Sequence, residues 1–203
     1  MHGINTQGIP PELLKLPQWV LWKFELRDGK TTKVPYSITG EKAQSNNPRT
    51  WNSFEKTLNV YNGGQYDGIG IMFSKDDPLC GIDLDHCRDS ETGKIEPRAK
   101  GIIESFHSFC EISPSGTGVH IIVKGKLPAG GRKKGDIEIY NKGRYFTVTG
   151  NHLDGTPPEI NPAQEAIDWL LSTYFKKEEV AAQAPRPSSS PQACESDAEL
   201  IQK

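Results

Sequence analysis

The chain has no apolar run approaching the ~20 residues that a bilayer span needs. Its N-terminus, MHGINTQGIPPELLKLPQW, lacks the basic stretch followed by an apolar stretch that marks a secretory leader. Cysteine is scarce: four in 203 residues do not make a disulfide framework. Neither sign of charge dominates, since 24 Lys and Arg stand against 26 Asp and Glu for a formal net charge of −2. These absences make a cytoplasmic protein the expectation and argue against a generally basic nucleic-acid coat. What is present is core material. Hydrophobic residues make up 34% and there are 20 glycines, enough for one packed domain with room for a tail.

The tail is the clearest shift in composition. From Lys176 the chain reads KKEEVAAQAPRPSSSPQACESDAEL, with three prolines, a serine run and no aromatic residue. Such a segment buries too little apolar surface to offset its ordering entropy. The expected organisation is therefore a domain over 1–175, a linker over 176–196, and the start of a further helical module at 197–203.

Within the domain, Trp19-Val-Leu-Trp-Lys-Phe24 reads as a strand, joined through a turn at Asp28-Gly29 to a second at Lys33–Tyr36. Trp51 to Tyr61 has helical spacing and ends at Asn62-Gly63-Gly64. Gly68–Phe73 and Gly81–Asp85 read as a strand pair around Lys75-Asp-Asp-Pro78. Pro97 opens a helix whose apolar face is Ile102, Ile103, Phe106 and Phe109. Val119–Val123, Asp136–Tyr140 and Arg144–Thr149 are three more strands, and Pro162–Phe175 a last helix with Ala166, Ile167, Leu170, Leu171 and Tyr174 facing inward. The expected class is α+β with mostly antiparallel sheet.

Acidic residues stand in unusual places. In Gly81-Ile-Asp-Leu-Asp-His86 the strand period of two puts Asp83 and Asp85 on one face and Ile82 and Leu84 on the other. Asp136-Ile-Glu-Ile-Tyr140 repeats the pattern. Neighbouring carboxylates repel, so they commonly hold a cation between them, and hard oxygen ligands favour Mg²⁺ or Mn²⁺. An Asp-x-Asp pair with a third acid on a neighbouring strand suits two-metal phosphoryl transfer. A solvated sheet face would show the same spacing. Asp76, Asp77 and Asp89 read as turn residues.

A second concentration lies in Glu111-Ile-Ser-Pro-Ser-Gly-Thr-Gly-Val-His120. Ser113, Ser115 and Thr117 offer hydroxyls, while Gly116 and Gly118 let backbone N–H groups approach an anion. His120 begins a strand. Seven cations follow, Lys124, Lys126, Arg132, Lys133, Lys134, Lys142 and Arg144, with Tyr140 and Tyr145 among them. Beside the acids, this set suggests a metal-bound nucleoside triphosphate; a polar hairpin with a core histidine is the plainer alternative.

Together these segments resemble the catalytic domain of archaeo-eukaryotic-type primase-polymerases, especially those of phages and mobile elements. The family's three motifs stand here as Gly81-Ile-Asp-Leu-Asp-His86, Ser113-Pro-Ser-Gly-Thr-Gly-Val-His120 and Asp136-Ile-Glu-Ile-Tyr140. The resemblance runs from Trp19 to Gly150 and includes Trp19–Trp22, Lys33–Tyr36 and Gly143–Gly150. It implies a catalytic core with a sheet like the RNA-recognition motif, beside a smaller N-terminal α/β subdomain. It implies two metal ions on Asp83, Asp85 and Glu138, with Asp136 as the fallback third acid. His120 would contact the incoming nucleotide's phosphates with the Ser113–Gly118 turn and Lys142 or Arg144. Lys33, Lys133 and Lys134 would contact the DNA template. Many relatives have Ser two residues before the histidine where this chain has Gly118, so Ser115 or Thr117 is expected to supply that hydroxyl.

The expected activity is template-directed nucleotidyl transfer, a DNA primase and polymerase acting on a template or primer and (d)NTPs. Relatives often continue into a helicase region, and the implied setting is a bacterial or phage-infected cytoplasm. A two-metal nuclease and a non-catalytic single-strand-binding module, stacking bases on Tyr140, Tyr145 and Phe146, are the rival readings. A metal-dependent sugar transferase is a third, better suited to a parallel sheet. Cys80, Cys87 and Cys110 lack the Cys-x2-Cys spacing of structural zinc.

Overall fold

Trp19 to Trp22 is buried on both faces, and only the far half of its strand reaches solvent; the result is β1 (Trp19–Arg27). The computed structural model describes residues 3–128 and 132–175, so the expected linker and the module at 197–203 lie outside the described residues. β1 turns at Asp28 (φ 48°) and Gly29 (φ 74°) into β2 (Lys30–Tyr36), pairing Arg27 with Lys30. Positive φ at both central residues is the two-residue hairpin turn whose twist matches its strands. The other edge of β1 takes β3 (Gly68–Met72), buried at all five positions.

The expected pairing of Gly68–Phe73 with Gly81–Asp85 does not occur. β3 and β4 (Leu79–Leu84) belong to different sheets. Asp77 shapes the connection between them: its carboxylate accepts the Ser74 and Leu79 N–H groups, each at 2.9 Å, and the Gln18 amide at 2.8 Å. Both edges of each strand are then filled by other partners, so this link is a crossover and not a hairpin.

The second sheet contains β5 (Cys110–Ile112), β6 (Val119–Lys124), β7 (Arg132–Lys134) and β8 (Ile137–Tyr140), in the order β5-β6-β4-β8-β7. The chain then returns through β9 (Tyr145–Val148) to the first sheet, whose order is β2-β1-β3-β9. The N-terminal sheet is therefore completed from the far end of the domain. Every strand pair among the described residues is antiparallel.

Helices cover what the sheets leave apolar. A single turn, α1 (Pro11–Leu14), buries Leu13. α2 (Phe54–Tyr61) packs against β1 and β3. It starts three residues later than the spacing suggests, because Trp51 precedes the Ser53 cap and donates its indole N–H to the Gln44 carbonyl at 2.8 Å. α3 (Pro97–Phe106) and α4 (Gln164–Tyr174) bury Ile102, Ile103, Phe106, Ile167 and Leu170 against Ile82, Leu84, Ile121 and Ile139. Phe109 is not on the face of α3. His107 (φ 42°) ends the helix in the left-handed region, and Phe109 turns into the other core, with Trp19, Ile69 and Ile122.

Two strands escape sequence reading. β5 is three residues long with a charge at its centre, and β7 is three consecutive cations. β5 is too short for its alternation to stand out, and β7 has none.

Candidate active site

In an antiparallel sheet, residues directly opposite one another put their side chains on the same face. The register of the second sheet pairs Glu111 with His120, His120 with Asp83, Asp83 with Glu138, and Glu138 with Lys133. One rung thus carries a charged or titratable side chain on each of five strands. The opposite face of the same strands is the isoleucine-rich core under α3 and α4. Two residues along β4 and on the same face, Gly81 makes room for the first sheet: a Cβ there would lie 2.5 Å from the Phe73 ring and 3.3 Å from Phe146.

Asp83 stands at the centre of the rung. Its Oδ1 is buried and has no hydrogen-bond partner among the described residues. Burial raises its pKa, and the neighbouring charges of Asp85 and Glu138 add to this, against His120 and Lys33. Asp85 lies just past the strand, its N–H donating to the Asp136 carbonyl at 2.8 Å. Glu138 differs. Burial works to raise its pKa, but hydrogen bonds from Lys133 Nζ and the Tyr140 hydroxyl outweigh it and hold the carboxyl below its usual range. Asp136, expected on the strand with Glu138, falls before β8 and is exposed.

His120 is 3% exposed. Its Nδ1 lies 3.1 Å from Glu111 Oε1, its Nε2 lies 3.8 Å from Asp83 Oδ1, and its ring centroid is 4.4 Å from that of Phe146. Burial opposes the charged imidazole, yet Glu111 and Asp83 raise its pKa overall. Lys33 reaches this cluster from β2. Burial lowers its pKa, partly offset by Asp83 and Asp85, and its Nζ sits 5.7 Å above the Trp22 ring.

The Ser113–Gly118 turn adjoins the rung and is bonded within itself. Ser113 Oγ is 3.0 Å from Ser115 Oγ, which is 2.9 Å from Thr117 Oγ1, and the Gly118 N–H donates to Ser113 Oγ at 3.1 Å. A side chain at position 118 would place its Cβ 2.8 Å from the Leu84 carbonyl and 3.0 Å from Ser113 Oγ. The hydroxyl beside position 118 is that of Ser113, and those of Ser115 and Thr117 continue the chain of hydrogen bonds from it.

Arg88, absent from the sequence reading, braces this turn: Nη1 donates to the Gly116 carbonyl at 2.8 Å, and its buried Nε has no partner among the described residues. A cavity of about 770 Å³ is lined by Arg88, Ser113, Ser115, Gly116, Asn151 and His152, with none of the three acids on its wall.

Of the expected cations, Arg144 lies 5.0 Å over the Tyr140 ring and helps to lower the Glu138 pKa. Lys133 is bound to Glu138 and not free on an outer face, while Lys134 and Lys142 are exposed and outside the cluster. Glu111 is the other residue that sequence reasoning missed. Its alternation with Cys110 and Ile112 was the available signal, in a strand too short to stand out. Cys80, Cys87 and Cys110 are free and buried, their thiols pushed up to about 12, 11 and 12, chiefly by desolvation.

Asp83, Asp85 and Glu138 offer hard oxygen donors, and the unpartnered Asp83 Oδ1 fits a cation ligand. As they stand, no three His, Cys, Asp or Glu side chains among the described residues converge on one ion. The Glu138 carboxylate is turned to Lys133 and Tyr140. No helix among the described residues is long and apolar enough to cross a membrane.

No family model matches the chain. It is similar to the DNA primase-polymerase of Nitratiruptor phage NrS-1, with 36% identity over 150 residues, which is 70% of this chain. The chain spans 20% of that protein's length. Over the matched residues this chain belongs to the DNA primase-polymerase family.

Proposed function

We propose that this chain carries out template-directed nucleotidyl transfer, as the primase and polymerase domain of a replication protein acting in a bacterial or phage-infected cytoplasm. The observation that carries the reading is the rung in which His120, Asp83 and Glu138 stand abreast on three neighbouring strands, opposite the face that packs on the core. In this reading the five-stranded sheet with α3 and α4 on one face is the RNA-recognition-motif-like catalytic core. Asp83, Asp85 and Glu138 would hold two divalent cations, magnesium or manganese. Bound there, the ions would activate the attacking 3′-hydroxyl and stabilise charge on the reacting phosphate.

The chain's own groups do the rest. His120 Nε2, the hydroxyls of Ser113 and Ser115 and the Arg144 guanidinium hold the triphosphate, charge-assisted donors being the strong ones. Lys133 neutralises Glu138, and with a cation held by that carboxylate its ammonium would be available to a phosphate. Lys33 and Lys134 contact the template backbone, which makes binding salt-dependent. Residues 1–175 form the catalytic unit, and 176–196 connect it to a helical module and a helicase region.

The test is incorporation of ribo- and deoxyribonucleotides on primed and unprimed templates with Mg²⁺ or Mn²⁺. Metal- and template-dependent products are expected. Shortening of labelled single-stranded DNA without nucleotides would instead identify a nuclease, and DNA binding with neither reaction would identify a binding module.

A further inference from the structure

Glu111 is completely buried, at 0% exposure, and the reaction proposed above gives it no task. A carboxylate removed from water must be repaid by partners, and here they come from three directions. The Gly150 N–H donates to Oε2 at 2.8 Å, the Thr149 N–H lies 3.2 and 3.1 Å from the two oxygens, and His120 Nδ1 lies 3.1 Å from Oε1. With two backbone donors aimed at it, the carboxylate acts as an acceptor, so Nδ1 carries the proton and donates.

Two consequences follow for His120. A ring flip would break the Nδ1 bond and bring carbon against a carboxylate, and the Phe146 ring closes one side at 4.4 Å. Nε2 is thereby the nitrogen left beside Asp83. Thr149 and Gly150 follow β9 of the first sheet, and the Thr149 carbonyl accepts the Asn5 N–H at 2.9 Å. Glu111 is therefore held by the junction of the two sheets, and His120 is held by Glu111.

We infer that Glu111 is a positioning residue. It holds the His120 ring through Nδ1–H so that the Nε2–H is the donor presented to the substrate's phosphates. The inference rests on His120 being a nucleotide contact.

A double-mutant cycle separates this role from simple support of the fold. Wild type, Glu111→Gln, His120→Ala and the double variant are compared for nucleotide KM, kcat and template affinity. Glu111→Gln is expected to raise nucleotide KM about tenfold, the scale of one lost hydrogen bond between charged groups, with template affinity unchanged. In the His120→Ala background it adds nothing. Additive effects, or an unchanged KM in Glu111→Gln while His120→Ala raises it, would overturn the positioning role and leave the proposed function standing. Wild-type KM in His120→Ala would remove both. Long-range ¹⁵N NMR of the wild-type imidazole gives the check that needs no variant: a protonated Nδ1 is expected, and an unprotonated Nδ1 overturns the inference even if Glu111→Gln fails to fold.

Discussion

The two sheets use the same strand position in opposite ways. In the first, central β3 alternates Ile69 and Ile71 with Gly68 and Gly70. A Cβ on Gly68 would come within 2.7 Å of the Trp22 ring, and one on Gly70 within 2.6 Å of the Phe146 carbonyl. In the second, central β4 alternates Ile82 and Leu84 with Gly81 and Asp83, and its neighbours carry Glu111, His120, Glu138 and Lys133 at the matching position. One sheet gives up side chains so that aromatic rings and backbone pack closely. The other gives up apolar packing to hold charge. The first should be sensitive in stability and the second in chemistry.

The largest expected effect on the charged side is from Glu138→Gln. Incorporation should fall about 10²- to 10³-fold, the scale for removing one electrostatic stabiliser of a transition state, with a modest fall in Tm at neutral pH as the bonds from Lys133 and Tyr140 weaken. A variant of wild-type activity would move the third acid to Asp136. The matching change in the first sheet is Gly68→Ala. The Trp22 ring is locked by its N–H bond to the Ile69 carbonyl at 3.0 Å, so the added methyl has nowhere to go. A loss of about 2 kcal/mol is expected, or roughly 4–8 °C in Tm, while activity at low temperature survives.

Asp83→Asn sharpens the contrast by predicting a gain. The raised pKa of Asp83 means that its ionised form opposes folding: the stabilisation is present at low pH and lost as pH rises through the folded-state value. At neutral pH and without metal, the amide should therefore stabilise the protein by about 1 kcal/mol, a gain that disappears below the usual Asp value near ~4. Glu138 has the opposite sign, contributing stability at neutral pH that is lost on acidification through its lowered pKa. Thermal unfolding of Asp83→Asn from pH 3 to 8 checks both the direction and the window; destabilisation at neutral pH would contradict it. The smallest effect is from exposed Lys134→Ala, where template affinity should fall only slightly and the salt slope by about one unit.

Much of this was legible because alternation writes itself into sequence. Ile82 and Leu84 go inward and Asp83 goes to the other face, as the spacing requires, and the Asp28-Gly29 turn makes its hairpin. What was hidden depends on partners distant in the chain. Nothing near β3 or β4 says that they join different sheets, since that is decided by β9 and β8 filling their edges. Glu111 reads as one more acid until β6 sets His120 opposite it. Lys133 looks like a solvated cation until β7 pairs with β8 and brings it to Glu138. Arg88 shows its place only where Thr117 and Gly116 fold back over it.

The central claim is that the charged rung performs the chemistry while the rest of the fold supports it. The most direct measurement is primer extension by the chain carrying both Asp83→Ala and Asp85→Ala, run beside wild type with Mg²⁺ or Mn²⁺ and with circular dichroism on the same samples. The expected result is a folded protein whose extension is lost at every nucleotide concentration. A folded double variant that still extends primers would contradict it.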